Sequence, residues 1–267
     1  MDRLLVFGTG NATVTECYNT CFSLTDGKEF LLVDAGGGNG ILGILKHMKV
    51  PVERMHHAFL SHRHTDHMLG MVWVIRLIGT MMTQDRYEGT FTVYCHRELA
   101  ADLECLVRMT LDKRIVRLVG ERIFMVPVED GEEVNAVPYR LTCFDIHSDK
   151  TRQFGFSAVL NGGGRLVFLG DEPYRDACEP YVRGARWLLS EAFCLHSQAD
   201  VFKPYEKYHS TVKDACELAA RMNIPNLVLW HTEDSNLACR RSLYSQEGRM
   251  YYSGNLVIPD DADIVGL

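Results

Sequence analysis

A seven-residue segment, Ser-His-Arg-His-Thr-Asp-His at positions 61–67, constrains this chain more than any other feature. It follows an apolar run with the pattern of a short strand, and imidazole and carboxylate groups are ligands that zinc-type ions prefer. In an extended segment, His62 and His64 project to the same side. Asp66 and His67 then fall in the turn that opens the next helix. The segment therefore predicts one pair of ligands for a first ion and another pair for a second.

Three more ligand-type residues stand at the ends of strand-like apolar runs, namely His147, Asp171 and His231. In α/β sheets, ligands and catalytic groups gather outside the carboxyl ends of the strands. A single histidine in such a place is more often a hydrogen-bonded structural residue. The three together, in a chain that also carries the histidine cluster, predict one site at one edge of the fold.

The arrangement of strand-like and helical patterns predicts an α/β fold in layers. A chain of 267 residues with 46% hydrophobic content can bury a core as one domain, and no linker or repeat divides it, so we expect residues 1–267 to form a single domain. Strand patterns cover 3–7, 20–23, 29–33, 56–61, 91–96, 140–146, 165–169 and 226–230. Helical patterns cover 68–82, 97–109 and 212–222. Strands that alternate with helices around one core indicate layered α/β architecture.

Charge and cysteine usage indicate a soluble cytoplasmic protein without a polyanion-binding tail. The formal net charge is −7, and no run of like charges stands out. Nine cysteines without a C-x-x-C pair are typical of reduced thiols in the cytoplasm. The first residues lack the pattern of a secretion signal, and the longest apolar stretch, 68–82, is too short to span a bilayer. We therefore expect no membrane partner.

His209 precedes an amphipathic helical pattern in which Thr211 and Asp214 have the spacing of a capping box. A helix N-terminus is an anion site, so a phosphoryl oxygen could rest there beside the imidazole. Taken from the residues alone, a surface histidine next to an ordinary helix cap is the simpler interpretation.

With these residues in place, the sequence resembles the metallo-β-lactamase superfamily and, within it, the ribonuclease Z-like branch. The histidine cluster carries the resemblance to the superfamily, and Glu191 with His209-Ser210-Thr211 carries the resemblance to the branch. Other matching segments are Phe7-Gly8-Thr9-Gly10, Leu32-Val33-Asp34-Ala35-Gly36, His147, Gly170-Asp171 and His231. The resemblance implies a four-layer αββα sandwich with metals at the edge between two sheets.

The resemblance also implies a role for each candidate residue. One metal would be held by His62, His64 and His147, the other by Asp66, His67 and His231, with Asp171 bridging them. We expect two divalent ions, zinc first and manganese or iron as alternatives. A metal-bridging hydroxide would attack a phosphodiester, and His209, oriented by Glu191, would protonate the leaving group. Asp66 is counted among the catalytic residues as well. Asp34 would brace the ligand loop, although a turn cap is an equally good interpretation.

The first hypothesis is therefore a dinuclear phosphodiesterase acting on a small phosphodiester. The alternative is a tRNA 3′-processing endonuclease, ribonuclease Z, with RNA as its partner. Such enzymes grip tRNA with a long arm, usually inserted between the segments that match His147 and Asp171, and in this chain Asp171 follows His147 by only 24 positions. The acidic charge also disfavours RNA.

Further alternatives are a metallohydrolase for a non-phosphate ester or lactone, and a non-catalytic metal-binding protein. A di-iron redox protein is disfavoured because that group usually has Glu at the position of His64. The resemblance also allows a homodimer.

Overall fold

A computed structural model describes residues 1–267 and contains two seven-stranded sheets. The first sheet has the spatial order β14-β1-β2-β3-β4-β5-β6. Its strands are β1 (Arg3–Gly8), β2 (Cys21–Thr25), β3 (Phe30–Val33), β4 (His57–Phe59), β5 (Phe91–Cys95), β6 (Ile123–Pro127) and β14 (Ile264–Gly266). Strands β3 to β6 run parallel to one another, so their carboxyl ends meet at one edge.

The second sheet has the order β13-β12-β11-β10-β9-β8-β7. Its strands are β7 (Glu133–Ala136), β8 (Tyr139–Asp145), β9 (Phe154–Val159), β10 (Arg165–Phe168), β11 (Trp187–Glu191), β12 (Asn226–Trp230) and β13 (Asn255–Val257). Here β10 to β13 are parallel, which again brings carboxyl ends together.

Eight α-helices cover the outer faces of the sheets. They are α1 (Gly40–His47), α2 (Thr65–Thr83), α3 (Arg97–Thr110), α4 (Lys113–Val116), α5 (Glu179–Val182), α6 (Ala199–Phe202), α7 (Val212–Arg221) and α8 (Arg240–Gly248). None of the helices is both long enough and apolar enough to cross a membrane.

Alternating side chains divide the interior into three apolar layers. In β3, Leu31 and Val33 point into the cluster between the two sheets, whereas Leu32 packs with the helices of the first half. In β12, Val228 and Trp230 enter the central layer, whereas Leu227 and Leu229 pack beneath α7 and α8. This period of two is what a strand buried on both faces requires. The result is the predicted four-layer αββα sandwich.

The strands and helices that the sequence pattern predicted are all present, with bounds within three residues of the prediction. The pattern gave no bounds for six strands, β6, β7, β9, β11, β13 and β14. Most of these are short or lie at a sheet edge, where alternation gives little signal. One omission matters for the site, because the buried strand β11 ends at Glu191.

The two sheets are joined at the edge where their parallel strands end. The backbone N–H of Phe154 donates to the carbonyl of Ser61 at 3.0 Å, which links the loop after β4 to the second sheet. Asp34, His147 and His231 turn sharply there with positive φ values of 52°, 58° and 55°. Such values are uncommon outside glycine, and strained backbone of this kind clusters at functional sites.

Candidate metal centre

The loop from β4 into α2 brings its histidines together as the sequence predicts. His64 is the extended residue that precedes α2, with φ −60° and ψ 149°, and Asp66 and His67 lie in the first turn of that helix. His62 Nε2 and His64 Nδ1 are 2.9 Å apart. The ring of His67 lies 4.2 Å from that of His62, centroid to centroid. One short segment thus supplies four ligand-type side chains to one place.

Asp171 lies at the centre of the cluster. Its Oδ2 is 3.7 Å from Nε2 of His62, 3.6 Å from Nε2 of His67 and 3.4 Å from Nε2 of His231. Its other oxygen accepts a hydrogen bond from the side-chain amide of Gln153, which fixes the carboxylate. A single buried carboxylate oxygen therefore faces three imidazoles.

The ligand atoms form two groups that share Asp171. One group contains Asp66, His67, Asp171 and His231, and the other contains His62, His64 and Asp171. Within each group, the candidate ligand atoms lie within 4.8 Å of one another. Borderline nitrogen and hard oxygen donors in this mixture suit a divalent ion of the zinc type.

The charge states of the cluster fit a bound cation. Burial alone would raise the pKa of the Asp171 carboxyl, but the surrounding histidines lower it well below its usual value. Burial lowers the pKa of His62 well below the ordinary value and that of His231 to about 3. The carboxylate is thus ionised and these imidazoles are neutral, which is the form in which they bind metal.

His67 indicates where positive charge is favoured. Burial opposes protonation of His67, yet Asp66 and Asp34 raise the pKa of its ring well above the ordinary value. Its Nε2 and both ring nitrogens of His231 are buried without a hydrogen-bond partner. Buried polar atoms are normally satisfied, and the two Nε2 atoms face the carboxylates of Asp66 and Asp171, so these orphans fit a site for divalent metal ions.

Asp34 braces this cluster from behind. Its carboxylate accepts hydrogen bonds from the backbone N–H of Ser61 at 2.8 Å, from the Ser61 hydroxyl at 2.7 Å and from Nδ1 of His67 at 2.8 Å. The last contact turns Nε2 of His67 towards Asp66 and Asp171. Partners of this kind fix the tautomer and orientation of a metal-binding histidine.

We expect Asp34→Asn to lower the affinity for metal by about 10- to 100-fold, the usual effect of losing such a partner. The substitution keeps the size of the side chain but removes the charge that holds His67. Competition with a chelator measures the change. Asp85→Asn is the matched control, since Asp85 is an exposed aspartate with nearly the same φ, 53°. An affinity unchanged in Asp34→Asn would contradict the bracing role.

His147 is not brought into the cluster. It follows β8 as predicted, but its side chain is exposed and belongs to neither group of ligand atoms. Its backbone N–H donates to Asp145 Oδ1 at 2.8 Å in the turn that leaves the strand. Its assignment as a ligand of the first ion stays a prediction.

His209 and Glu191 lie together beside the cluster. Nδ1 of His209 is 3.6 Å from Oε2 of Glu191, which is fully buried. The His209 ring stacks on Phe193 at 5.0 Å and lies 5.3 Å from the ring of His231. Burial lowers the pKa of His209, but Glu191 outweighs it and raises the net value. The imidazole therefore keeps its proton to a higher pH than a free histidine.

The helix after His209 begins as the sequence predicts. Thr211 caps α7 and forms a capping box with Asp214. The backbone N–H of Ser210 donates to Oε1 of Glu191 at 2.5 Å. That contact ties the start of the helix to β11, and it holds Glu191 through the carboxylate oxygen that is not the one nearest His209.

Sequence reasoning missed two residues of the site. Gln153 holds Asp171, and Ser61 donates to Asp34 and lies 2.9 Å from Nδ1 of His62 through its hydroxyl oxygen. Gln153 carries no sequence signal, because it meets Asp171 only through the pairing of β9 with β10. Ser61 did carry a sequence signal, because it stands directly before the first histidine of the motif.

A four-layer αββα sandwich with a cluster of histidines and aspartates at the edge between its sheets defines a metal-dependent hydrolase. The chain belongs to the beta-lactamase superfamily, since the sequence profile of the beta-lactamase superfamily domain matches residues 30–232. It is an enzyme of the metallo-β-lactamase fold that acts on ester bonds. The predicted resemblance to the ribonuclease Z-like branch is confirmed.

Three known proteins are similar to this chain over nearly its whole length. Ribonuclease Z of Thermococcus sibiricus is 24% identical over 313 aligned positions, covering 100% of this chain and 97% of the relative. The metallo-beta-lactamase fold protein YhfI from Bacillus subtilis has a TM-score of 0.79 at 20% identity, covering 99% and 98% of the two chains. The short form of human tRNase Z has a TM-score of 0.76 at 18% identity, covering 100% and 98%. The relatives favour our alternative, ribonuclease Z, over the small phosphodiester that we placed first.

Proposed function

We propose that this chain is a metal-dependent phosphodiesterase of the ribonuclease Z type, a tRNA 3′-processing endonuclease. The observation that carries the proposal is the Glu191–His209 pair beside the buried cluster around Asp171. A carboxylate-supported imidazole next to a metal site suits expulsion of an alkoxide from a phosphate ester. The names of the relatives supply the choice of RNA as substrate. We also propose that residues 1–267 form one hydrolase domain.

The residues that would hold metal follow the two groups. His62, His64 and Asp171 would hold one ion, with His147 as a further ligand by resemblance. Asp66, His67, His231 and Asp171 would hold the other. When bound, two such ions supply activation of water and stabilisation of charge on the phosphoryl oxygens.

The remaining chemistry belongs to His209 and its neighbours. Glu191 favours the protonated ring, and the stacked ring of Phe193 limits its rotation. In this arrangement His209 donates its proton to the departing oxygen, and Glu191 stabilises the charged ring before that transfer. α7 begins at Val212, and the backbone N–H groups of Val212 and Asp214 already donate to the Cys194 carbonyl at 3.0 Å and to the Thr211 hydroxyl at 3.4 Å. A phosphoryl oxygen beside His209 would therefore meet the positive end of the helix dipole but few free donors there.

A second candidate function, hydrolysis of a small phosphodiester, is favoured by the short segment between His147 and Asp171. The interval holds a short loop and the β9–β10 hairpin, which closes through a bond from Leu160 N–H to the Gly164 carbonyl at 3.1 Å. No strand or helix beyond this hairpin is available there as an arm for tRNA. The alignment with the Thermococcus relative spans 313 positions, although this chain has only 267 residues, so that relative has segments that this chain lacks.

A substrate comparison separates the two candidates. Metal-loaded protein should cleave a tRNA precursor with a 3′ trailer once, at the trailer junction, and with a higher kcat/KM than aryl phosphodiesters or cyclic nucleotides. RNA binding releases counterions, so KM for the precursor should rise steeply with salt while KM for a small diester should not. Cleavage of small diesters alone would replace the first candidate by the second. Hydrolysis of none of them would overturn both.

A further inference from the structure

A cavity opens beside His209 on the side of α7. Its volume is about 420 Å³, and it adjoins a second cavity of about 270 Å³. Both are lined by Pro173, Tyr174, Tyr205 and His209. The residue that we propose as the proton donor therefore forms part of the wall of a space large enough for a nucleoside.

Aromatic rings define this space. Tyr174 carries the guanidinium of Arg221 at 5.4 Å from its ring centroid. Tyr205 is 55% exposed, yet its hydroxyl donates to Asp214 Oδ2 at 2.9 Å, which anchors the ring to the capping box of α7. Tyr208, beside His209, is 49% exposed and has a φ of 58°, a strained value for a bulky residue. Exposed aromatic side chains grouped at one place mark a binding surface, and their flat faces suit a ligand that stacks on them.

The wall of the cavity also contains polar residues. Ser190 and Ser210 line the main cavity, and Asp149 and Arg175 line the adjoining one. A nucleobase has both properties, a π face that stacks on aromatic rings and an edge that takes donors and acceptors.

We infer that this cavity binds the nucleobase of the departing nucleoside, with Tyr174 and Tyr205 as its stacking residues. The inference rests on the proposed function, because it takes His209 as the donor to the leaving oxygen. The His209 ring lies beside His231 of the cluster, and His209 also forms part of the cavity wall. The group attached to the leaving oxygen therefore extends from the cluster into the cavity. Stacking accepts every base, so Tyr174 and Tyr205 select a nucleoside and not a particular sequence.

Binding of adenosine 5′-monophosphate against ribose 5-phosphate tests this on the metal-loaded protein by calorimetry. Stacking on one ring contributes about 1–3 kcal/mol, so the nucleotide should bind about 5- to 150-fold more tightly than the sugar phosphate. Tyr174→Ala and Tyr205→Ala should each remove most of this preference. Tyr174→Phe and Tyr205→Phe, which keep the rings, should retain it.

Turnover provides the second readout. Tyr174→Ala should raise KM for a dinucleotide with a base on its leaving side, and should leave KM unchanged for the same diester with an abasic leaving sugar. Equal binding of the nucleotide and the sugar phosphate to the unaltered protein would overturn the inference, even if phosphodiesters are hydrolysed. Equal effects of the Ala and Phe variants would overturn it too. Loss of the proposed function would show differently, as absence of any phosphodiester hydrolysis.

Discussion

Asp171→Ala is expected to bind fewer metal ions than the unaltered chain and to lose hydrolysis below detection. The unaltered chain should bind about two divalent ions, because the six ligand-type side chains of the two groups exceed what one tetrahedral site uses. Oδ2 of Asp171 lies 3.4 to 3.7 Å from three imidazole nitrogens and is common to both groups of ligand atoms. Removal of this carboxylate should therefore weaken the binding of both ions. Elemental analysis of the purified variant and an assay with an aryl phosphodiester measure the two effects.

The matched control is Asp176→Ala, at an exposed aspartate in the same strand-end region. It should keep both ions and full activity. Full metal content and activity in Asp171→Ala would remove Asp171 from the site. A single ion bound by residues outside the two groups in the unaltered chain would overturn the dinuclear assignment.

What could be predicted from the sequence is mostly local. His62 and His64 converge because alternate residues of an extended segment share a side, and Thr211 and Asp214 cap α7 because their spacing fixes that geometry. His231 reaches the site because a polar residue directly after an apolar strand lies at the sheet edge. In each case the physical cause acts within a few residues.

The parts that could not be predicted depend on contacts between distant segments. Gln153 reaches Asp171 through sheet pairing, and Tyr174 and Tyr205 line the same cavity only because two distant loops lie beside His209. The orientation of His147 depends on the turn after β8, whose backbone has a positive φ. The substrate could not be predicted from the sequence either. The acidic charge and the short interval between His147 and Asp171 indicated a small diester, whereas the relatives are ribonucleases Z.

The second large effect is expected for His209→Ala, which should keep both metals and fold normally. If His209 protonates the departing oxygen, the variant should lose about 10²- to 10⁴-fold in kcat on an ester with an alkyl leaving group, such as a nucleotide. A p-nitrophenolate leaves with little protonation, so hydrolysis of that ester should be nearly normal. The measurement is therefore a ratio of rates on two leaving groups, taken with the metal content of the same preparation.

The leaving-group dependence distinguishes proton donation from every other role that the structure allows His209. Its ring stacks on Phe193 and lies beside His231, so a merely structural role would disturb both esters equally. Glu191→Gln should reproduce the pattern more weakly, because it removes the charge that raises the pKa of the ring but leaves the acid in place. His47→Ala, at an exposed histidine at the end of α1, serves as the control and should change neither rate. Equal losses on good and poor leaving groups would mean that His209 binds phosphate or supports the fold, and the proton would then have to reach the leaving oxygen from another donor.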